Sequence, residues 1–325
     1  MVWENGVLKM LDQRRLPVEE VWLELRSWQE VREAIVEMTV RGAPAIGVAA
    51  AYGMALAAAS GAALDEAEKG LASSRPTAVN LFWALQRIRD LSSDKFETIL
   101  AEAHAIEQED LAMNLAMASL GAALIPDRAR ILTICNTGSL ATAGHGTALG
   151  VIRTAFSQGK VDFVYSCETR PRQQGLRLTA WELQKEGIPF ASVVEGAAAS
   201  LMAQGKVDLV IAGADRIVAN GDTANKIGTF TLAVLAHHFG IPFYIAAPSS
   251  TFDPTLATGA EIEIEERSGT EITEIEGVRV APRDCPTWNP GFDVTPGELI
   301  SAIISEKGVF RAPYRFSNQM VEASR

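Results

Sequence analysis

The chain has 325 residues, enough for one large domain or two ordinary ones, and 48% of them are hydrophobic, so a substantial core is available. A formal net charge of -11 argues against a nucleic-acid-binding surface and suits a soluble enzyme. Cys135, Cys167 and Cys285 stand far apart and match no zinc or Cys-x-x-Cys spacing. The N-terminal MVWENGVLKMLDQ lacks the basic and apolar segments of a signal peptide. A reducing cytoplasm is the simplest expectation.

In chain order, Val2–Leu16 reads as a small β-element with Asn5-Gly6 as its turn. Ser27–Val40 has helical spacing, with Val31, Ala34, Ile35 and Met38 on one face. Arg41-Gly42-Ala43-Pro44 breaks that helix, and Pro44 suits the first turn of the next. The amides of Gly42 and Ala43 then lie at a helix N-terminus beside Arg41, a setting that binds anions. From these four residues alone, a plain helix–helix turn with a surface arginine is the simpler reading. Gly42–Leu64 carries no charge and is long enough to cross a bilayer. It is mostly Ala and Gly, which drive insertion weakly, so a helix buried on nearly all sides is expected.

Arg75-Pro76-Thr77 repeats the arrangement, with Thr77 as N-cap of a helix whose apolar face holds Leu81, Leu85 and Ile88. Phe96–Ala123 reads as one long helix or two joined ones, with His104 an ordinary helix-face residue. Ile125-Pro126-Asp127 ends the helical region. The division expected is a mainly helical domain over 1–125 and an α/β domain over 126–325.

From there the pattern becomes strand, helix, strand. Strands are predicted at 130–135, 161–166, 188–194, 207–212 and 241–246, with helices at about 141–157, 173–186, 196–204 and 227–239. Such alternation means a mostly parallel sheet with helices on both faces. Ligands of such sheets bind beyond the carboxyl ends of the strands. Cys135, Cys167 with Glu168, Glu195, Asp215 and Pro248-Ser249-Ser250 follow the five strands in turn, so one rim should hold them all. Cys135 precedes a helix N-terminus, which favours thiolate, although a buried structural thiol is the commoner case. Between the last two strands, Ala219–Asn225 reads as a long polar loop closed by Lys226. Residues 261–276 alternate Glu with Ile and read as a half-solvated hairpin. Asn289–Pro296 reads as an ordered loop leading into a short helix, Gly297–Glu306.

A dinucleotide site is disfavoured. Gly138, Gly144, Gly146 and Gly150 follow the first strand, but Gly144-x-Gly146 comes too late and the third glycine is misplaced. No GxxxxGK[ST] occurs either. No metal set is expected, because His145, His237 and His238 are not spaced with carboxylates as ligands.

Six blocks, RGAPAIGVAAAYG (41–53), RPTAVNLFWAL (75–85), CNTGSLATAGHGTALGVIR (135–153), ETRPRQQGLRLTAWEL (168–183), GADRIVANGDTANKIGTF (213–230) and NPGFDVTP (289–296), resemble the methylthioribose-1-phosphate isomerase family. The resemblance implies a helical N-terminal domain, a Rossmann-like C-terminal domain, a homodimer, no cofactor, and a sugar-phosphate substrate from methionine salvage. It implies Cys135 and Asp215 as the catalytic pair. It also implies substrate contacts from Arg41, Gly42, Ala43, Arg75, Gln174, Asn225 and Lys226, the two arginines meeting phosphate. Relatives tend to carry an Asp or another residue followed by Met-Ala where this chain has Glu195-Gly196-Ala197-Ala198, which bears on the 5-substituent accepted.

The chemistry asks for such residues. In an aldose 1-phosphate the anomeric carbon is blocked, so the ring must open with the phosphate kept on C1. Asp215 is expected as general acid toward the ring oxygen, held protonated by an apolar surround such as Val210, Ile211 and Ile217. Cys135 is expected to handle or stabilise transfer of the C2 hydrogen, as proton or as hydride. Alternatives are a 5-deoxyribose 1-phosphate isomerase and, in another class, a non-catalytic subunit like the regulatory subunits of a translation-initiation exchange factor. Ribose 1,5-bisphosphate fits less well, because no further basic groups for a second phosphate stand out.

Overall fold

A computed structural model describes residues 1–75 and 79–317. Its contacts divide the chain into two compact units: Met1–Ala116 with Asn136–Gly150, and Met117–Cys135 with the chain from Val151 onward. The sequence reading placed one cut near 125; the chain passes from one unit to the other three times, because 136–150 returns to the first unit.

The first unit opens on strands β1 (Val2–Glu4) and β2 (Val7–Leu11), paired antiparallel. Asn5 at φ 52° and Gly6 at φ 77° supply the left-handed turn that an Asn-Gly pair favours. A third strand not expected from the sequence, β3 (Trp22–Leu25), pairs antiparallel with β2. Helix α1 (Trp28–Val36) starts on a capping box, with the Ser27 hydroxyl accepting from the Glu30 amide and the Glu30 carboxylate accepting from Ser27. Val31, Ala34 and Ile35 are its buried face; Met38 lies beyond the helix end at φ 58°.

Helix α2 (Ala43–Ser60) is the axis of this unit. Everything from Ala45 to Ala57 is buried, which answers the membrane-length run: the helix is long and apolar enough to span a bilayer and is instead enclosed by protein. α3 (Leu64–Ala72), α4 (Val79–Arg89) and α1 pack around it. Its small residues permit this, since a Cβ on Gly47 would sit 2.7 Å from the Asn80 carbonyl oxygen of α4. Leu81, Leu85 and Ile88 are buried as expected, whereas the cap assigned to Thr77 lies outside the described residues. α5 (Phe96–Ala122) is one continuous helix. The returning segment is tied down by Gln13 Nε2 donating to the Leu140 carbonyl (2.7 Å) and by the Ala143 amide donating to Asp110 (2.7 Å).

The second unit is built on a seven-stranded sheet. In chain order its elements are β4 (Ala129–Thr133), α6 (Ala148–Ser157), β5 (Val161–Cys167), α7 (Ala180–Lys185), β6 (Phe190–Val193), α8 (Ala198–Ala203) and β7 (Leu209–Ala212). β8 (Arg216–Val218), β9 (Thr223–Lys226), α9 (Thr229–His238), β10 (Phe243–Ala246) and β11 (Phe252–Asp253) follow. The chain ends with α10 (Thr270–Thr273), β12 (Glu274–Ile275), β13 (Val278–Arg279), β14 (Phe292–Thr295), β15 (Ala302–Ser305) and β16 (Gly308–Phe310). The large sheet has the order β16-β15-β10-β7-β4-β5-β6, and the five predicted strands run mutually parallel. The chain steps outward from β4 to β6, then crosses back to β7 and moves the other way. Right-handed crossovers in opposite directions put helices on opposite faces. On one of them Leu132, Ile134, Val210 and Ala212 pack with Ala198, Met202, Leu232 and Ala233 of α8 and α9.

Four local expectations need correction. The helix predicted from 141 begins only at Ala148, after a 3-10 turn over Ser139–Ala141, and the Thr137 hydroxyl accepts from the Leu149 amide in its first turn. The supposed loop 219–225 is mostly a hairpin: β8 and β9 pair antiparallel within a small sheet of order β11-β8-β9-β14. The Glu/Ile alternation at 261–276 forms no extended hairpin. It holds a 3-10 turn, α10 and the two-residue strand β12, and Glu271 is drawn inward by Arg172 and Arg267. The helix expected at Gly297–Glu306 is a 3-10 turn followed by β15, which lies parallel to β10. A short apolar run fits either element, and the open edge of β10 decides for strand.

Gly47→Ala would press a methyl group into the α2–α4 contact and is expected to cost about 1–3 kcal/mol of stability. Urea unfolding of variant and parent measures it, and an unchanged midpoint would refute close backbone approach at that crossing.

Candidate active site

β4 and β7 are neighbours, with Ile131 opposite Leu209 and Leu132 opposite Val210. Between them the strand order reverses, which makes their carboxyl ends the switch point where open α/β sheets bind ligands. Cys135 follows the end of β4 by two residues and Asp215 follows the end of β7 by three, so both lie just past the carboxyl ends of neighbouring strands. Cys135 and Asp215 are therefore brought to one stretch of the rim.

Cys135 is half-buried and its φ is 66°, a left-handed conformation uncommon outside glycine. Both of its backbone polar groups are held by side chains. Its amide donates to the Thr169 hydroxyl (2.9 Å), and its carbonyl accepts from the Thr179 hydroxyl (2.6 Å). Thr169 is itself left-handed at φ 69°; its hydroxyl donates to the Cys167 carbonyl (3.0 Å) and its amide to the Glu195 carboxylate. Thr179 closes a π-helical turn over Gly175–Thr179, a feature frequent at functional sites. Only glycine fits at its start, because a Cβ on Gly175 would fall 1.7 Å from the Cys167 carbonyl oxygen. Gln174, one residue earlier, is buried, and its side-chain carbonyl has no partner among the described residues.

The helix expected directly after Cys135 is replaced by a 3-10 turn over Ser139–Ala141, and α6 starts at Ala148. Cys167 is a contrasting thiol: fully buried, it is pushed up to about 12 by that burial, helped by Glu195 and Glu168. It stays protonated at neutral pH.

Asp215 follows β7 after Gly213-Ala214, and its amide donates to the Ala224 carbonyl (2.9 Å). Val210, Ile211 and Ile217 are all fully buried around this bend, while Asp215 is half-buried. β9 carries the next two candidates. Asn225 is buried and donates through Nδ2 to Thr229 Oγ1 (2.9 Å). Lys226 is buried too; its Nζ donates to the Gly291 carbonyl (2.6 Å) and sits 4.2 Å from the Phe292 ring centroid. Both neighbours come from the Asn289–Pro296 stretch, because β14 pairs with β9, Phe292 opposite Lys226 and Asp293 opposite Asn225. Asp293 accepts from the Gly228 (2.7 Å) and Phe230 (3.1 Å) amides at the entry to α9.

On the first unit, Arg41 and Arg75 are half-buried. Gly42 is the N-cap of α2 at φ 94°, with Ala43 and Pro44 in the first turn, as the sequence suggested. A Cβ on Gly42 would meet the Ala141 carbonyl oxygen at 2.3 Å. The candidates thus fall into two sets. Cys135, Gln174, Asp215, Asn225 and Lys226 belong to the second unit; Arg41, Gly42, Ala43 and Arg75 belong to helix entrances of the first. Sequence reasoning gave no role to Thr169, Thr179 or Asp293. Each lies beside a quoted block or within one, but a hydroxyl or carboxylate in a loop gives no sign of which backbone group it will meet.

Residues 39–312 match the family model described as the initiation factor 2 subunit family. The chain belongs to that family. It is 53% identical to a methylthioribose-1-phosphate isomerase of Alcanivorax borkumensis over 96% of this chain and 93% of that protein. It is 52% identical to one of Caldanaerobacter subterraneus subsp. tengcongensis over 97% and 96%. Among solved structures, the 5-methylthioribose 1-phosphate isomerase of Pyrococcus horikoshii OT3 superposes with a TM-score of 0.92 at 44% identity, covering 99% of this chain and 94% of that one. The translation initiation factor eIF-2B subunit delta of A. fulgidus gives a TM-score of 0.87 at 42% identity, covering 99% and 98%. Within the family the chain stands with the methylthioribose-1-phosphate isomerases, the group that the six quoted blocks resemble.

Burial lifts the Asp293 carboxyl to about 6, outweighing the two amides and Lys226 that favour its charge. The unfolded chain ionises this group near 4. Between those values the folded protein keeps a proton the unfolded chain has lost, so this group's contribution to stability declines as pH rises from about 4 to about 6. Asp293→Asn should remove that slope. Relative to the variant, the parent is expected to lose on the order of 2 kcal/mol between about pH 4 and 7, measured by denaturant unfolding. Parallel curves would refute the raised value.

Proposed function

We propose that the protein is an aldose–ketose isomerase that converts 5-methylthioribose 1-phosphate to 5-methylthioribulose 1-phosphate in methionine salvage. The observation that carries this reading is 53% identity over 96% of the chain to a protein of that activity. The place of a cysteine and an aspartate just past the carboxyl ends of the two strands at the switch point supports it. By the same resemblance we infer a cytoplasmic homodimer that needs no cofactor.

In this reading Asp215 donates a proton to the ring oxygen, and the C1–O bond of the ring breaks with the phosphate kept on C1. Val210, Ile211 and Ile217 on either side of it in the chain are fully buried. The C2 hydrogen then leaves C2 under the control of Cys135 and a hydrogen is returned to C1, while the C2 hydroxyl gives up its proton and becomes the ketone. Lys226, Asn225 and Gln174 hold sugar hydroxyls or phosphate oxygens. Arg41, Arg75 and the amides of Gly42 and Ala43 supply positive charge and donors for the phosphate.

A second reading has its own observation, the eIF-2B subunit delta structure at 42% identity. On that reading the chain is a non-catalytic assembly subunit. A scaffold has no need of Cys135, Asp215, Arg41, Arg75 and Lys226 together, so the enzyme is favoured.

An NMR turnover assay with 5-methylthioribose 1-phosphate and 5-deoxyribose 1-phosphate, run side by side, tests the choice. Fast conversion of the first is expected; preference for the second would move the assignment to 5-deoxyribose, and conversion of neither would favour the assembly subunit. Cys135→Ala and Asp215→Asn are each expected to lower kcat by about 1000-fold while substrate still binds. Near-parental turnover in either would remove that residue from the chemistry.

A further inference from the structure

We propose that Thr169, Thr179 and Glu195 are positioning residues that clamp the Cys135 peptide in its left-handed conformation and so fix where the thiol points. The proposal rests on the assignment of Cys135 as catalytic.

The sheet does not need these contacts. β4 ends at Thr133, and Cys135 already lies beyond its ladder. Yet the Cys135 amide and carbonyl are both taken by side-chain hydroxyls, from two different elements: the loop after β5 and the π-helical turn. A threonine hydroxyl donates one hydrogen bond and accepts others. At Thr169 the donor goes to the Cys167 carbonyl and an acceptor position takes the Cys135 amide, so the hydroxyl couples the end of β5 to the turn that carries the thiol. Thr169 adopts φ 69°, a genuine outlier for a β-branched residue, and its own amide is held by Glu195. The chain of contacts therefore runs from Glu195 through Thr169 to Cys135, with Thr179 closing the other side. All its members belong to the second unit.

This gives Glu195 a different task from the one its sequence position suggested. Its carboxylate is committed to the Thr169 amide, so its effect on the reaction is exerted through the Cys135 peptide. A positional error of about 1 Å in a reacting group can cost on the order of 100-fold in rate. A valine at Thr169 or Thr179 keeps the branched shape and removes the hydroxyl; a serine keeps the hydroxyl and removes a methyl.

The test compares the parent with Thr169→Val, Thr169→Ser, Thr179→Val, Thr179→Ser and Glu195→Ala in the full chain. Two quantities are read for each: kcat and KM for 5-methylthioribose 1-phosphate, and the rate of iodoacetamide alkylation at the Cys135 peptide against pH, followed by mass spectrometry. The expected result is a kcat reduced by about 10- to 100-fold in both valine variants with KM altered by less than about threefold. The midpoint or the plateau of the alkylation profile should move with it, and both serine variants should recover to within about threefold. Valine variants that lose thermal stability but keep kcat and the alkylation profile would overturn the clamp, because the hydroxyls would then be structural only. If either valine variant fails to fold, Glu195→Ala, which removes the acceptor, decides: a parental kcat together with a parental alkylation profile overturns the proposal. The alkylation arm needs no substrate, so a parent protein that isomerises neither sugar would sink the isomerase reading and leave the clamp to be judged by thiol reactivity alone.

Discussion

The parallel pairing of β4 with β5 on one side and β7 on the other is the constraint on which the second unit depends. β7 is buried throughout and β4 nearly so, while β5 exposes Asp162; the buried positions are mostly apolar, and their backbone groups must find partners within the sheet. Once the ladder is set, every residue after a strand emerges on the same rim. The reversal of direction from β6 to β7 leaves a crevice there that no crossover connection covers. Cys135 and Asp215 both follow strands that lie side by side, so each emerges just past the carboxyl end of its strand on that rim.

What the sheet cannot do is orient the groups it delivers. Beyond Thr133 the chain leaves the ladder, and Cys135 and Thr169 occupy left-handed conformations that cost on the order of 1–3 kcal/mol each. Each intramolecular hydrogen bond returns only about 1 kcal/mol. The Thr169, Thr179 and Glu195 contacts together are of the right size to offset the strain, and no single one is. Gly175 contributes by allowing the π-helical turn to approach the Cys167 carbonyl more closely than any side chain would permit. The local geometry at the thiol is thus held by several weak contacts acting at once, which is how a strained residue can also be a rigid one.

The parts of this fold that were legible in the sequence are those governed by local pattern. Asn5-Gly6 makes a left-handed turn whatever surrounds it. Runs such as Leu209–Ala212 and Phe243–Ala246 are apolar enough to require burial, and their shortness and flanking helices favour strands, while the charge-free Ala43–Ser60 is enclosed. The parts that were not legible depend on distant partners. Ala302–Ser305 is a strand because β10 offers an open edge, and Glu271 turns inward because Arg172 and Arg267 await it. At the site, residue-by-residue reasoning put Cys135 on the correct rim and still favoured a structural thiol; the family resemblance supplied its chemistry. The hydroxyls that hold it left no signal, since a threonine that braces a backbone and one that caps a turn look alike in sequence.

The first unit shows how a structural and a functional reason can share one residue. Gly42 sits at φ 94° with the Ala141 carbonyl where a Cβ would go, and either fact alone requires glycine with no ligand in view. Its presence is therefore no evidence for anion binding. The evidence is what the bare residue leaves behind: an N-cap with no side-chain bond at the head of an eighteen-residue helix, next to an arginine. Most helices of that length satisfy their first amides with a capping hydroxyl or carboxylate, as α1 does with Ser27 and Glu30. α2 does without one, because Ala141 leaves no space for a capping side chain. The packing that excludes a capping side chain is thus the structural observation behind the proposed phosphate role of the helix entrance and its arginine.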